Sequence, residues 1–232
     1  MAIVVVGGHT RNIGKTSVVA GLIQALPHLR WTAFKITQFG HGVCSANGKP
    51  CDCETAEHTL AVTEERDRSS NTDSARYLAA GAEQSFWVRT RQGQLAEAMP
   101  RLRKEFERVQ AAGGNVLVES NSILRFLRPN LYLTILDPAT ADFKPSALHY
   151  LDRADAVLLT TPALDRPAWQ GVSLRLIASI PRFHLQPPAY ITAEIATFVA
   201  ARLDPVVDAP AHVLRDSVLS KGKEGVGNRR QQ

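Results

Sequence analysis

No run of about 18 apolar residues interrupts the 232-residue sequence, so no membrane-crossing helix is expected. The N-terminus lacks a basic segment followed by a small-residue cleavage site, which argues against secretion and predicts a cytoplasmic location. Cysteine is scarce, at three residues, and an odd number in a cytoplasmic chain excludes a disulfide framework. Internal repeats are absent. The net charge of +5 is concentrated in the last dozen residues, Lys221 to Gln232, where no aromatic residue is interleaved with the charges. That composition cannot bury enough apolar surface to order itself, and it lacks the stacking platform of a single-strand binder. Residues 205–232 are therefore expected to form a solvated tail, and nucleic acid is not an expected partner.

What is present begins at the N-terminus. An apolar strand, Ala2–Val6, runs directly into Gly7-Gly8-His9-Thr10-Arg11-Asn12-Ile13-Gly14-Lys15-Thr16-Ser17. Small residues in such a loop let backbone N–H groups point at phosphate oxygens. Lys15 can reach the outer phosphates, and the Thr16 hydroxyl can hold Mg²⁺. A helix over about 15–26 aims its positive end at the same anion. Gly8, Thr10, Asn12, Ile13, Gly14, Lys15, Thr16 and Ser17 are thus the expected nucleotide-binding residues. The spacing is unusual: five residues, His9 to Ile13, separate Gly8 from Gly14, where the standard loop has four.

Downstream, apolar runs alternate with helical patterns, the mark of a parallel sheet covered by helices. Strands are expected at 32–36, 85–89, 115–118, 131–136 and 156–160. Helices are expected at 72–80, 94–112, 147–153, 168–180 and 193–203. Thr72-Asp73-Ser74 offers N-cap chemistry and Gly113-Gly114 a helix stop. The expected fold is α/β, a three-layer open and mostly parallel sheet with helices on both faces. One domain, 1–204, carries a polar Cys-containing insertion at about 37–71.

Three residues could join the phosphate loop. Lys35, at the end of the second expected strand, would face the ligand crevice of an open parallel sheet. Glu119 ends an apolar strand, where a carboxylate can hold Mg²⁺; Asp73 precedes a helix and could assist. Asp137, Asp52 and Glu54 are rivals for that task. Lys15, Lys35 and Glu119 are the expected catalytic residues. Cys44, Cys51, Cys53 and His58 supply the ligand types of a Zn²⁺ or Ni²⁺ site. The alternative is a loop with incidental thiols, since three cysteines leave a tetrahedral site one ligand short. No Asn-Lys-x-Asp follows the strand at 156–160, so guanine specificity is not indicated and ATP and GTP both stay open.

Gly8-His-Thr-Arg-Asn-Ile-Gly-Lys-Thr16 resembles the five-spacer phosphate loop of dethiobiotin synthetase. Phe34-Lys35 resembles that family's Tyr-Lys-Pro, whose lysine belongs to its active site. Leu117-Val-Glu119 resembles its Val-Glu-Gly, with Ser120 here in place of the glycine. Thr72-Asp-Ser-Ala-Arg-Tyr-Leu-Ala-Ala-Gly-Ala82 is similar to a segment of the molybdopterin-guanine dinucleotide biosynthesis adaptor proteins. Both families belong to a superclass that also holds metal-enzyme maturation NTPases, some with a Cys-x-Cys motif like Cys51-Asp-Cys53. The resemblance implies a Mg²⁺-dependent P-loop protein hydrolysing ATP or GTP in cofactor or metal-centre biosynthesis. It also implies a homodimer, with a small-molecule or metalloenzyme-maturation partner. Two alternatives accompany it: an ATP-dependent small-molecule kinase or ligase, and a non-catalytic nucleotide-gated adaptor.

Overall fold

The structure, a computed structural model, describes residues 1–39, 60–161 and 167–203. Cys44, Cys51, Cys53, His58, Asp52, Glu54 and the expected tail lie outside the described residues. An eight-stranded sheet organises the chain. Its strands are β1 (Ile3–Gly8), β2 (Trp31–Phe39), β3 (Leu60–Glu64), β4 (Gln84–Arg91), β5 (Asn115–Glu119), β6 (Leu131–Leu136), β7 (Ala156–Leu159) and β8 (Arg182–His184). They lie in the order β3-β4-β2-β5-β1-β6-β7-β8. Every pairing is parallel except β3 with β4.

The central strands read as continuous apolar runs because both faces are covered. Val4 and Val6 pack on one face against α1 (Lys15–Ala25), Tyr77 of α2 (Asp73–Ala79), and α5 (Ala193–Leu203). Val5, Phe34 and Ile36 pack on the other against α3 (Leu95–Ala111). Beneath β6 and β7 the second face is closed by Leu151, Trp169 and Ile177. The three-layer α/β expectation is thus met.

Helix α2 starts where the local chemistry dictates: the Thr72 hydroxyl accepts from the Ala75 N–H at 3.1 Å. Helix α3 ends at Ala112, followed by Gly113 at φ +71°, a left-handed stop.

Three expectations need correction. The polar insertion does not begin at residue 37, because β2 continues to Phe39, and Leu60–Glu64, in a stretch whose sequence suits a short helix or a hairpin, forms an edge strand. Its Leu60, Ala61 and Val62 find their partners on β4, a pairing that so short an apolar run does not announce. The helix expected over 168–180 is only a single 3₁₀ turn at Leu174–Ile177. Pro167 and Gly171 interrupt the apolar pattern there, with Gly171 at φ +71°. The helix expected at 147–153 is split into α4 (Pro145–Leu148) and a 3₁₀ turn at Leu151–Arg153.

Candidate functional site

All seven parallel-running strands present their carboxyl ends to one edge of the sheet. The loop from Gly8 to Gly14 crosses that edge between β1 and α1. Asn12 (φ +56°) and Gly14 (φ +92°) both hold left-handed backbone. A Cβ on Gly14 would also lie 2.7 Å from the Tyr190 ring, so glycine is required there on two counts. Helix α1 opens with no acidic side chain in its first turn and no side-chain cap among the described residues. The leading N–H groups of a helix have no partner within it, and here they point to the loop with the helix dipole behind them. This is an anion-binding arrangement built from backbone.

The loop is fixed from two sides. Asn121, just beyond β5, accepts from the Gly8 N–H at 3.0 Å and donates to the Gly8 carbonyl at 2.9 Å. His9 is wholly buried. Its Nδ1–H donates to the Asp142 carbonyl at 2.7 Å, and its Nε2 accepts from the Asp137 N–H at 3.0 Å. Burial pushes the His9 pKa down, consistent with a neutral ring whose two nitrogens have opposite roles. Phe143 and Trp169 flank the ring at 5.0 and 5.2 Å. The Thr10 hydroxyl donates to Asp142 at 2.5 Å. Sequence reasoning missed His9 and Asn121 as loop anchors, because their partners are more than a hundred residues away.

Lys15 Nζ donates to the Thr10 carbonyl at 2.9 Å, folding back over the loop. Burial lowers its pKa to about 8, with the Lys144 and Lys35 charges pushing the same way and Glu119 opposing. Beside it, Thr16 donates to Glu119 at 2.9 Å. Glu119 is 3% exposed and also accepts from Lys35 and from the Tyr77 hydroxyl. Lys35 pairs with Asp73 as well, at 2.8 Å. Burial disfavours the Lys35 charge, but Glu119 and Asp73 outweigh it and hold its pKa above the ordinary value. Burial would likewise raise the Asp73 pKa, yet Lys35 and the Thr16 hydroxyl hold it below the usual carboxylate range. Burial and the Glu119 charge push Tyr77 well above its usual pKa, so it is a hydrogen-bond donor at every working pH. Arg76 donates to the Ser17 hydroxyl at 3.1 Å.

The structure therefore brings together Lys15, Thr16, Ser17, Lys35, Asp73 and Glu119, with Arg76 and Tyr77 supplied by α2. Register explains part of this: Lys35 is opposite Glu119 in the β2–β5 ladder, at the last paired position. Asp137 does not join them. Its carboxylate accepts from Ala139 and Thr140 in the turn after β6. One hydroxyl and two carboxylates form an all-oxygen donor set, the kind that suits Mg²⁺. Among the described residues no cluster of three or more His, Cys, Asp or Glu side chains forms a metal site.

A mostly parallel sheet covered by helices, with this loop after β1 and an acid at the end of the neighbouring β5, matches the three-layer fold expected of a P-loop NTPase. No protein-family model matches the chain, and no curated protein matches it. Among solved structures it is similar to LpxK from Aquifex aeolicus, in an "apo" form complexed with ATP, at 16% identity and a TM-score of 0.44. That match covers 79% of this chain and 53% of LpxK, so the chain spans about half the length of that protein. It is also similar to HypB from Helicobacter pylori in complex with nickel, at 12% identity and a TM-score of 0.44, over 86% of each chain. No helix among the described residues is long and apolar enough to cross a membrane.

Proposed function

We propose that this protein is a Mg²⁺-dependent nucleoside triphosphatase that uses ATP or GTP in cofactor or metal-centre biosynthesis. The observation that carries the reading is the convergence of Lys15, Thr16, Lys35, Asp73 and Glu119 under the phosphate loop. The backbone amides from Asn12 to Thr16 would hold the phosphates, and Lys15 would balance the charge that builds on the transferred phosphoryl group. Catalysis would be positioning and electrostatics rather than covalent chemistry. Thr16, Glu119 and Asp73 would hold Mg²⁺, which shields phosphate charge when bound. Lys35 would hold the two carboxylates in position by pairing with both. The biosynthetic setting rests on the resemblance of the Thr72–Ala82 segment, whose Asp73, Arg76 and Tyr77 all reach the site. A homodimer, a maturation partner and Zn²⁺ or Ni²⁺ at Cys44, Cys51, Cys53 and His58 belong to the same reading.

Purified protein with Mg²⁺ is expected to release ADP from ATP, or GDP from GTP, in steady state. Release that is unchanged when Mg²⁺ is chelated would contradict the proposal. A second reading, phosphoryl transfer to a small molecule, is favoured by one observation. Lys35 lies inside the site, where it could meet a substrate carboxylate. Under that reading, ADP release requires the second substrate.

The lowered Lys15 pKa makes nucleotide affinity depend on pH. In the free protein Lys15 loses its proton as pH rises through about 8. Bound phosphates favour the charged form, so above that pH binding must take up a proton. With respect to this group, affinity should be flat well below pH 8, begin to fall as pH approaches 8, and fall by up to about tenfold per unit above it. Calorimetric titration between pH 7 and 9.5, in buffers of different ionisation enthalpy, checks both the slope and the proton uptake. A constant affinity across that range, with no proton uptake, would contradict a lowered Lys15 pKa coupled to phosphate binding.

A further inference from the structure

A second cleft opens on the same edge of the sheet. Strand β5 leaves the sheet after Glu119, whereas β2 runs on beside β4 to Phe39. Beyond Glu119 that flank of β2 has no strand beside it among the described residues. The 3₁₀ turn Ser122–Arg125 and the segment around α4 stand off from it, leaving a cavity of about 200 Å³. Its walls include Gln38, Ser122, Arg125, Ser146, His149 and Tyr150. Leu95 and Phe126 supply apolar surface. Gln38 alternates with Lys35 along β2, on the side of Phe34 and Ile36, so the cleft lies on the α3 side of the edge. The exit segment of β5 connects it to the nucleotide site. Within four residues that segment places Glu119 on Thr16, Asn121 on Gly8 and Ser122 in the cleft wall.

We propose that this cleft binds a small anionic molecule with a ring-bearing body, the second ligand of the protein. Arg125 would pair with a carboxylate or phosphate group of that molecule. Arg125 is exposed, lies 5.8 Å over the Phe126 ring, and makes no ion pair among the described residues. Its planar donor fork matches either anion bidentately. Phe126 and Tyr150 would give the body aromatic walls to pack against, while Gln38, Ser122 and Ser146 would offer hydrogen bonds that set its orientation. The volume is below the roughly 300–1,000 Å³ of drug-sized sites, so the occupant is metabolite-sized. The inference deepens the reading of a nucleotide site on this edge and rests on it only for the role of the ligand, not for its binding.

The test uses benzoate and phenyl phosphate as probes, with benzyl alcohol and inorganic phosphate as controls. Binding is read by ligand-observed NMR on the full chain. Wild-type protein should bind both aromatic anions, and Arg125→Ala and Arg125→Gln should weaken them at least tenfold. Both variants should melt as the parent does, because Arg125 is exposed. Benzyl alcohol should bind far more weakly, and Lys15→Ala should leave aromatic-anion binding in place. The proposal is overturned if neither probe binds wild type, if Arg125 substitution changes nothing, or if benzyl alcohol binds equally well. It is also overturned if binding disappears with Lys15→Ala but survives Arg125→Ala, because the probes would then occupy the phosphate loop and only the nucleotide reading would stand.

Discussion

Lys15→Ala is expected to weaken nucleoside triphosphate binding by about 10- to 100-fold while leaving the fold intact. A charge-assisted hydrogen bond to phosphate is worth about 1.5–3 kcal/mol, which sets that range. The free protein should not lose stability with the side chain. Burial holds the Lys15 ammonium at a pKa of about 8, which means that its charge is poorly solvated where it stands. Among the described residues its side chain hydrogen-bonds to the Thr10 carbonyl, a group of the loop itself. A thermal melt without nucleotide should therefore match or slightly exceed wild type, and the stabilisation that saturating nucleotide adds should nearly vanish. Equal nucleotide affinity in wild type and variant would remove Lys15 from the site. A collapse of the apo melting temperature would instead make it structural.

Glu119 should behave in the opposite way, because fold and function both depend on it. Its carboxylate accepts from Thr16, Lys35 and Tyr77 while almost wholly buried. Glu119→Ala leaves the Tyr77 hydroxyl without its acceptor and leaves Lys35 with Asp73 and the Thr16 hydroxyl. Breaking a buried ion pair from one side costs about 3–5 kcal/mol, and the surviving Asp73 contact places the expected loss near the lower end. Glu119→Gln retains an acceptor for Thr16 and Tyr77 but removes the charge that Lys35 and Mg²⁺ need. It should cost stability only about 1–2 kcal/mol, while Mg²⁺-dependent turnover falls by about two orders of magnitude. Urea melts and steady-state turnover on the same samples separate the two effects. Turnover in Glu119→Gln that stays near wild type, with normal Mg²⁺ dependence, would exclude the acid from the metal site.

The phosphate loop was legible in the sequence because its chemistry is local. Gly14 needs a left-handed φ, Lys15 and Thr16 open a helix, and all of them sit within ten residues of the strand that delivers them. Glu119 was legible because it ends an apolar strand, and Lys35 because it follows the apolar run that β2 carries to the same edge, although β2 itself continues past it to Phe39. Their pairing depends on β2 and β5 being neighbours, which no local pattern encodes. Tyr77, Asn121 and His9 were not legible as site residues. A buried tyrosine on a helix reads as core until the helix is seen to lean on Glu119. Asn121 and His9 act only through the Gly8 backbone and through Asp137 and Asp142. Strand β3 and the shortened helix have different causes: β3 forms by pairing with β4, whereas Pro167 and Gly171 break the run at 168–180 down to one 3₁₀ turn.

The central claim is that the 8–17 loop binds the phosphates of a nucleotide together with Mg²⁺. Titration calorimetry of the wild-type protein with ATP and with GTP, each with Mg²⁺ at pH 7.5, tests it most directly. One site per chain is predicted for at least one of them, with the triphosphate bound more tightly than its monophosphate. No binding of either triphosphate up to millimolar concentration, or monophosphate and triphosphate bound alike, would contradict it.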